Sequence, residues 1–180
     1  MKKQSILLIM TLLITGCTSA TKVNTPGFVA PCDQIKLAES AEKSVLLPCL
    51  DGVGESNFYQ LRGPLVINVW GSWCGGCKQE MPYFVELYQN PVFKSGQIQM
   101  LGLNVEEKSK EDAIEYIQKS GMSWPNLVDT SGVSKSIFGP GVPVTWFIDK
   151  EGKNVATKIG AYTNKQQLFD QFEKAFGVKL

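Results

Sequence analysis

Val66-Ile67-Asn68-Val69-Trp70-Gly71-Ser72-Trp73-Cys74-Gly75-Gly76-Cys77 is the stretch from which the rest of this chain can be read. From Leu65 to Trp70 the residues are almost continuously apolar, as in a strand covered on both faces of a sheet. Two cysteines follow at once. After them Met81, Phe84, Val85 and Tyr88 recur at i, i+3, i+4 and i+7, which predicts a helix with one apolar face. A strand that delivers Cys-x-x-Cys to the start of a helix is also a chemical arrangement. Disulfide exchange needs a thiolate that attacks and a second thiol that resolves the mixed disulfide. At a helix N-terminus, unpaired N–H groups and the helix dipole stabilise a thiolate. Cys74 is therefore the expected nucleophile, and Cys77, one turn deeper and shielded, the expected resolving thiol.

Working outward, Val45 to Leu50 reads as an edge strand and Asp51 to Gly54 as a turn. Arg62-Gly63-Pro64 punctuates the entry to the apolar run. Gln97 to Val105 is a second strand of the main sheet. Ser109 with Asp112 three residues on is a capping-box pattern, opening a helix that buries Ala113, Ile114 and Ile117. Val133 to Phe138 reads as a short helix. Val144 to Ile148 is a strand, Asp149 to Gly152 a turn, and Asn154 to Ile159 a strand that must return antiparallel. Thr163 with Gln166 is expected to cap a last helix whose inner face is Leu168, Phe172, Ala175 and Phe176. The order predicts an α/β fold, with a mixed central sheet and helices on both faces.

The 180 residues, 43% of them hydrophobic, suit one domain plus a targeting segment. Lys2 and Lys3 precede an apolar run from Ile6 to Ile14. That run is shorter than the roughly 20 residues needed to span a bilayer. It ends in Leu13-Ile14-Thr15-Gly16-Cys17, which resembles a bacterial lipobox. The resemblance implies a signal peptide over residues 1–16, cleavage before Cys17, and a lipid on the Cys17 sulfur. The plainer alternative is an ordinary signal peptide with a chance cysteine. Residues 17–31, polar and with Pro26, Gly27 and Pro31, read as a tether, and residues 32–180 as the domain. Export places the domain in a space where disulfides can form.

Charge excludes several function classes. Eighteen basic residues face 17 acidic ones; without Lys2 and Lys3 the count is 16 against 17. No large field of one sign is available to hold nucleic acid. Histidine is absent, which removes Ser-His-Asp and Cys-His catalysis and His-ligated metals. The four cysteines other than Cys17 allow three pairings. Cys74 and Cys77 close too small a loop to make a useful staple. Cys32 and Cys49 close a longer one, of the kind that stabilises, with two free buried thiols as the alternative. A zinc site would need all four, and the 17-residue separation of Cys32 and Cys49 does not match a zinc knuckle. No metal is expected.

The segment from Val66 to Cys77 resembles the strand and active site of the thioredoxin superfamily, closest to its extracytoplasmic TlpA/ResA-type branch. Glu80-Met81-Pro82 follows at the family's offset, with Pro82 where the family bends its helix. Asn68 stands where cytoplasmic thioredoxins carry a buried Asp. Gly141-Val142-Pro143-Val144-Thr145-Trp146-Phe147-Ile148-Asp149 resembles the cis-proline loop and the strand after it, and Gly160 the late-strand glycine. Lys110 to Ser120 with Trp124-Pro125 matches the branch's insertion. The resemblance runs from about Val45 to the C-terminus. It implies a thioredoxin fold with an N-terminal strand extension and a β-α insertion.

The resemblance also carries expectations about the site. A cis peptide before Pro143 would set the Val142 backbone beside the sulfurs, where an extended substrate can pair with it. Trp73 would wall the disulfide. Trp124 and Trp146 read as core, and Lys78 as a solvated face residue. Glu80, within about a turn of Cys77 on a helix, is expected to tune the thiols; the alternative is an exposed helix-face carboxylate.

The activity implied is thiol–disulfide exchange by an extracytoplasmic, lipid-anchored bacterial enzyme. Its cofactor is its own Cys74–Cys77 disulfide. The implied partners are exported Cys-containing proteins, such as apocytochrome c with its CxxCH thiols, and a membrane thiol carrier that supplies electrons. The working unit is a monomer that binds the membrane through its lipid and takes no nucleic acid. One departure stands out. Gly76 replaces the Pro that most relatives carry before the second Cys, which leaves the direction of electron flow open. The reductive reading competes with an oxidase or isomerase of secreted proteins. A copper-delivery protein on the same fold would need CxxxC and a distant His, and a peroxiredoxin a Thr-x-x-Cys-type pocket; neither matches.

Overall fold

A computed structural model, which describes residues 25–180, places the apolar run in the middle of a five-stranded sheet. In chain order the elements are β1 (Leu46–Pro48), β2 (Glu55–Asn57), β3 (Leu65–Trp70), α1 (Gly75–Tyr88), α2 (Pro91–Lys94), β4 (Gln99–Val105), α3 (Lys110–Ser120), β5 (Asn126–Asp129), α4 (Ser134–Phe138), β6 (Val144–Ile148), β7 (Asn154–Ile159) and α5 (Lys165–Phe176). The sheet order is β5-β4-β3-β6-β7. Strands β3, β4 and β5 are parallel, while β6 and β7 run antiparallel to their neighbours. This is the mixed α/β sheet that the element order predicts.

Alternation along the central strand sorts the core into two layers. Val66 and Trp70 pack with Met81, Phe84, Ala113, Ile117, Leu168 and Phe172, so α1, α3 and α5 cover one face. Leu65, Ile67 and Val69 point the other way, toward Leu47, Phe58 and Phe138. The second face is covered by the β1-β2 hairpin and the short α4. All six residues of β3 are buried, which is why the run carries no polar alternation except Asn68.

Several elements differ from the sequence reading. The segment expected as an edge strand forms a separate hairpin with β2, an element not anticipated. It reaches the main sheet through a single bridge from Cys49 to Leu127 and a hydrogen bond from Leu50 N–H to Asn126 O. Strand β5 was not anticipated either; it has four residues, begins with Asn and ends with Asp, and shows no period. The turn α2 is opened by Asn90, which accepts from Val92 N–H, with Pro91 at its first position. The cap of α5 sits one residue later than expected. Asn164 accepts from Gln167 N–H, and the Gln167 side chain accepts from the N–H of Thr163, the residue before the cap, rather than from that of the cap itself.

The end of the expected tether is docked rather than pendant. Gly27 N–H donates to Gln118 O and Phe28 N–H to Met122 O, and Ala30 bridges Pro125. A Cβ at Gly27 would lie 2.1 Å from Ile117 O, so only glycine allows this approach. The signal peptide and Cys17 lie outside the described residues.

Candidate functional site

The Cys74–Cys77 pair sits where β3 ends and α1 begins. Cys74 is the N-cap of α1, and its Sγ accepts from Cys77 N–H at 3.1 Å. The backbone donor that stabilises a thiolate is thus already aimed at this sulfur. The two sulfurs are bonded to each other, with Cα atoms 5.3 Å apart. Cys74 keeps 5% of its surface exposed and Cys77 none. The Cys74 side chain is less open than a surface thiol, and that of Cys77 is fully enclosed.

Antiparallel pairing of β3 with β6 brings the distant proline loop to the same end of the sheet. Val69 lies opposite Val144, so Val142 and Pro143 come just beyond the end of β3. The Val142–Pro143 peptide is cis, and Gly160 N–H donates to Pro143 O, which holds the loop against β7. A Cβ on Gly76 would lie 3.2 Å from Pro143 Cδ and 3.4 Å from Ala161 Cβ. The Gly76 peptide therefore runs directly against the proline ring.

Trp73 is 48% exposed beside the pair. Its indole lies back over Gly71 and Nε1 donates to Val105 O at 3.3 Å. A Cβ at Gly71 would come within 2.5 Å of that nitrogen, so the glycine makes room for the ring. Trp124 is completely buried, and Trp146 packs half-buried against Phe138 and Phe58.

Glu80 is the least expected feature of the site. It is a buried carboxylate, 1% exposed, rather than a helix-face charge. On α1 it is three residues after Cys77, hence its neighbour on one helix face. Two donors hold it: Asn68 Nδ2 to Oε1 at 3.0 Å, and Tyr162 N–H to Oε2 at 2.9 Å. Burial pushes its pKa up to about 7, against the opposing pull of the Tyr162 and Asn68 hydrogen bonds and the Lys158 charge. Desolvation outweighs the two donors, and the group titrates near neutrality. The Tyr162 and Tyr116 phenols are pushed upward, first by burial and then by the Glu80 charge.

A second carboxylate braces the loop before Cys74 and was not anticipated. Glu107 accepts from the Ser72 N–H, from the Ser72 hydroxyl at 2.7 Å and from Asn104 Nδ2 at 2.7 Å. It lies beyond β4, 35 residues from Ser72, and no local pattern in the sequence points to it. Below it, Trp70 Nε1 donates to Asn126 Oδ1 at 2.9 Å, tying β3 to β5 across β4.

Cys32 and Cys49 are paired on the other face of the sheet, their Cα atoms 6.1 Å apart, both buried. The Asp51 carboxylate lies within 4.8 Å of these sulfurs, but the sulfurs are bonded to one another. The four thiols do not converge on one point: the two pairs belong to different core layers.

The comparisons with known proteins agree with this geometry. The model of the AhpC/TSA family matches residues 38–157, about two thirds of the chain. The chain is 30% identical over 171 residues to "Thiol-disulfide oxidoreductase ResA" of Bacillus thuringiensis (strain Al Hakam), covering 92% of this chain and 94% of that one. Among solved structures it resembles StoA from Bacillus subtilis, with a TM-score of 0.58, 20% identity, and coverage of 73% of this chain and 97% of that one. A secreted Mycobacterium tuberculosis disulfide oxidoreductase matches with a TM-score of 0.60, 18% identity, and coverage of 73% and 96%. These two likenesses concern the fold. A redox-capable cysteine pair at the head of α1, the sheet order and the family match converge: this chain belongs to the AhpC/TSA family and is a thiol–disulfide oxidoreductase of the thioredoxin fold.

Proposed function

We propose that the chain works as a reductant of disulfides in exported proteins, with Cys74 as nucleophile, Cys77 as resolving thiol and Glu80 as the proton acceptor. The observation that carries this reading is the enclosed Glu80 carboxyl, one helical turn from Cys77, with its pKa near 7. In the reduced enzyme the Cys74 thiolate attacks one sulfur of a substrate disulfide. That bond breaks, one substrate thiolate leaves, and a mixed disulfide remains. Cys77 then gives its proton to the Glu80 carboxylate, attacks Cys74 Sγ and releases the second substrate thiolate. Two electrons pass to the substrate, and the Cys74–Cys77 disulfide returns. An ionised Glu80 beside the reduced pair opposes a second negative charge there, which disfavours the dithiolate and favours giving electrons away.

Val142, Pro143 and Trp73 form the proposed substrate rim, with the Val142 backbone pairing to an extended segment. The CxxCH thiols of apocytochrome c are a fitting substrate, and a membrane thiol carrier a fitting source of electrons. In this reading residues 1–16 are a signal peptide, Cys17 carries a lipid that holds a monomer at the outer side of a bacterial membrane, and the Cys32–Cys49 disulfide staples the domain. No described helix is long and apolar enough to cross a membrane.

Cys77→Ser tests the proposal, because Cys74 can still attack while the mixed disulfide cannot be resolved. Recovery of apocytochromes, or of a few proteins that need free thiols, is the expected result. Capture of a broad set of secreted proteins that carry structural disulfides would replace the reductive reading with an oxidative or isomerising one.

A further inference from the structure

A groove of about 1120 Å³ runs along the side of α1 that faces away from the sheet. Its apolar lining includes Pro82, Val85 and Phe28, the last 56% exposed. Lys78, Lys94, Lys119 and Lys165 also line it, from four different elements or their ends, against one acid, Glu86. All four lysines are exposed. Lys119 and Lys165 pair with Glu115 and Glu86; Lys94 lies over the Tyr88 ring. In a chain whose charges nearly cancel, this concentration is local.

The groove is also where the chain leaves the described domain. Thr25 and Pro26 lie on its edge, and the Gly27 and Phe28 N–H groups are hydrogen-bonded to the last turn of α3 and the loop after it. Eight peptide steps separate Thr25 from Cys17, which fully extended cover at most about 28 Å. That is shorter than the diameter of a domain of this size, roughly 40 Å. A lipid on Cys17 therefore prevents the Thr25 face from pointing directly away from the bilayer, and the four lysines share that face.

We infer that this face is a docking surface for an anionic bilayer, with the lysines over the lipid headgroups and Phe28 at the interface. The tether part of the argument rests on the lipid-anchor reading; the charge and exposure of the face do not. Because Lys78 follows Cys77 directly, docking brings the head of α1 alongside the membrane, within reach of a membrane-bound thiol donor.

The test uses the full chain, processed in bacteria, purified in detergent and reconstituted into two kinds of vesicle. One is phosphatidylcholine alone; the other contains phosphatidylcholine and phosphatidylglycerol in equal parts. Flotation reports the anchor, and acetylation of lysines followed by mass spectrometry reports the surface. Labelling of Lys78, Lys94, Lys119 and Lys165 should fall roughly three-fold or more in anionic vesicles and recover in high salt, while Lys43, Lys150 and Lys153 stay constant. Equal labelling in the two vesicles overturns the proposal. So does protection already present in detergent, which would mean that the chain itself or a bound protein fills the groove. Flotation only with anionic vesicles, with the four lysines protected, supports the surface while removing the anchor. Flotation with both and no selective protection keeps the anchor and removes the surface.

Discussion

Asn68 on β3 and Glu80 on α1 meet inside the core, the Asn68 amide donating to Glu80 Oε1 at 3.0 Å. Asn68 Oδ1 has no partner among the described residues. A half-turn of the amide would present that oxygen to a protonated Glu80, so one side chain can serve both states of the carboxyl. The central strand and the active helix are thus joined through the group that titrates. A group that titrates near neutrality is thus part of the packing, and changes at Glu80 should be readable in stability and, on the proposed mechanism, in chemistry.

Glu80→Gln keeps the volume and removes the charge. The reduced pair should then react with iodoacetamide at lower pH than in the parent, because the carboxylate no longer opposes the thiolate. Reduction of a protein disulfide should slow by one to two orders of magnitude, roughly the range of a lost general base. Superimposable alkylation profiles in the two proteins would remove Glu80 from the mechanism.

The oxidised protein should lose stability between about pH 5 and 8. Glu80 has its pKa raised in the folded state, from 4.5 to about 7, so the folded chain binds more protons than the unfolded one in this window. The stabilisation is complete below the unfolded value and lost as pH rises through the folded one, up to roughly 3 kcal/mol. With no histidine in the chain, few other side chains titrate there. Urea unfolding at pH 5 and pH 8 should show the slope in the parent and its loss in Glu80→Gln. Asp129 acts in the opposite sense at lower pH. Burial raises its pKa, but hydrogen bonds from Ser134 and Ser131 outweigh this and hold it below its usual value, so acid should weaken the hydrogen bonds that its carboxylate accepts from the N–H groups of Gly132, Val133 and Ser134, where the chain enters α4.

Replacing Cys32 and Cys49 together with Ala should leave the exchange activity intact and lower the stability by about 3 kcal/mol, the loop-closure value for such a separation. Peptide mapping of the exported parent should recover the two as a linked pair after mild reductant has opened Cys74–Cys77. Two free thiols under oxidising conditions would remove this staple.

Gly102→Ala should destabilise the fold by roughly 1–3 kcal/mol, the usual range for overpacking. A Cβ there would lie 1.7 Å from Asn126 Oδ1 and 2.8 Å from Trp70 Nε1, so it must break the Trp70–Asn126 hydrogen bond that crosses β4. Thermal unfolding against Gly141→Ala, where the added methyl meets open space, is the control; equal melting temperatures would mean that the sheet absorbs the methyl.

Features set by neighbouring residues were legible along the chain. The apolar run, the two cysteines and the i, i+3, i+4 pattern after them specify strand β3, the capped start of α1 and the deeper position of the second cysteine. Each of these follows from local periodicity and the geometry of a helix end. The mixed sheet followed from the order and length of the segments, and the second motif at Pro143 was recognisable by resemblance. Tertiary structure alone decided what depends on contacts distant in the chain. Glu80 is a buried acid because Tyr162, 82 residues later, and Asn68 on another element close over it. A helical position alone reads equally well as solvent-facing. Glu107 reaches Ser72 only because β4 lies parallel to β3. Strands β2 and β5 have three and four residues, too few for a period to show, and exist because neighbouring strands supply their hydrogen bonds. Residues 27–30 read as linker by composition. They pack onto the domain because the backbone beside Ile117 and Met122 leaves a space that only Gly27 can enter.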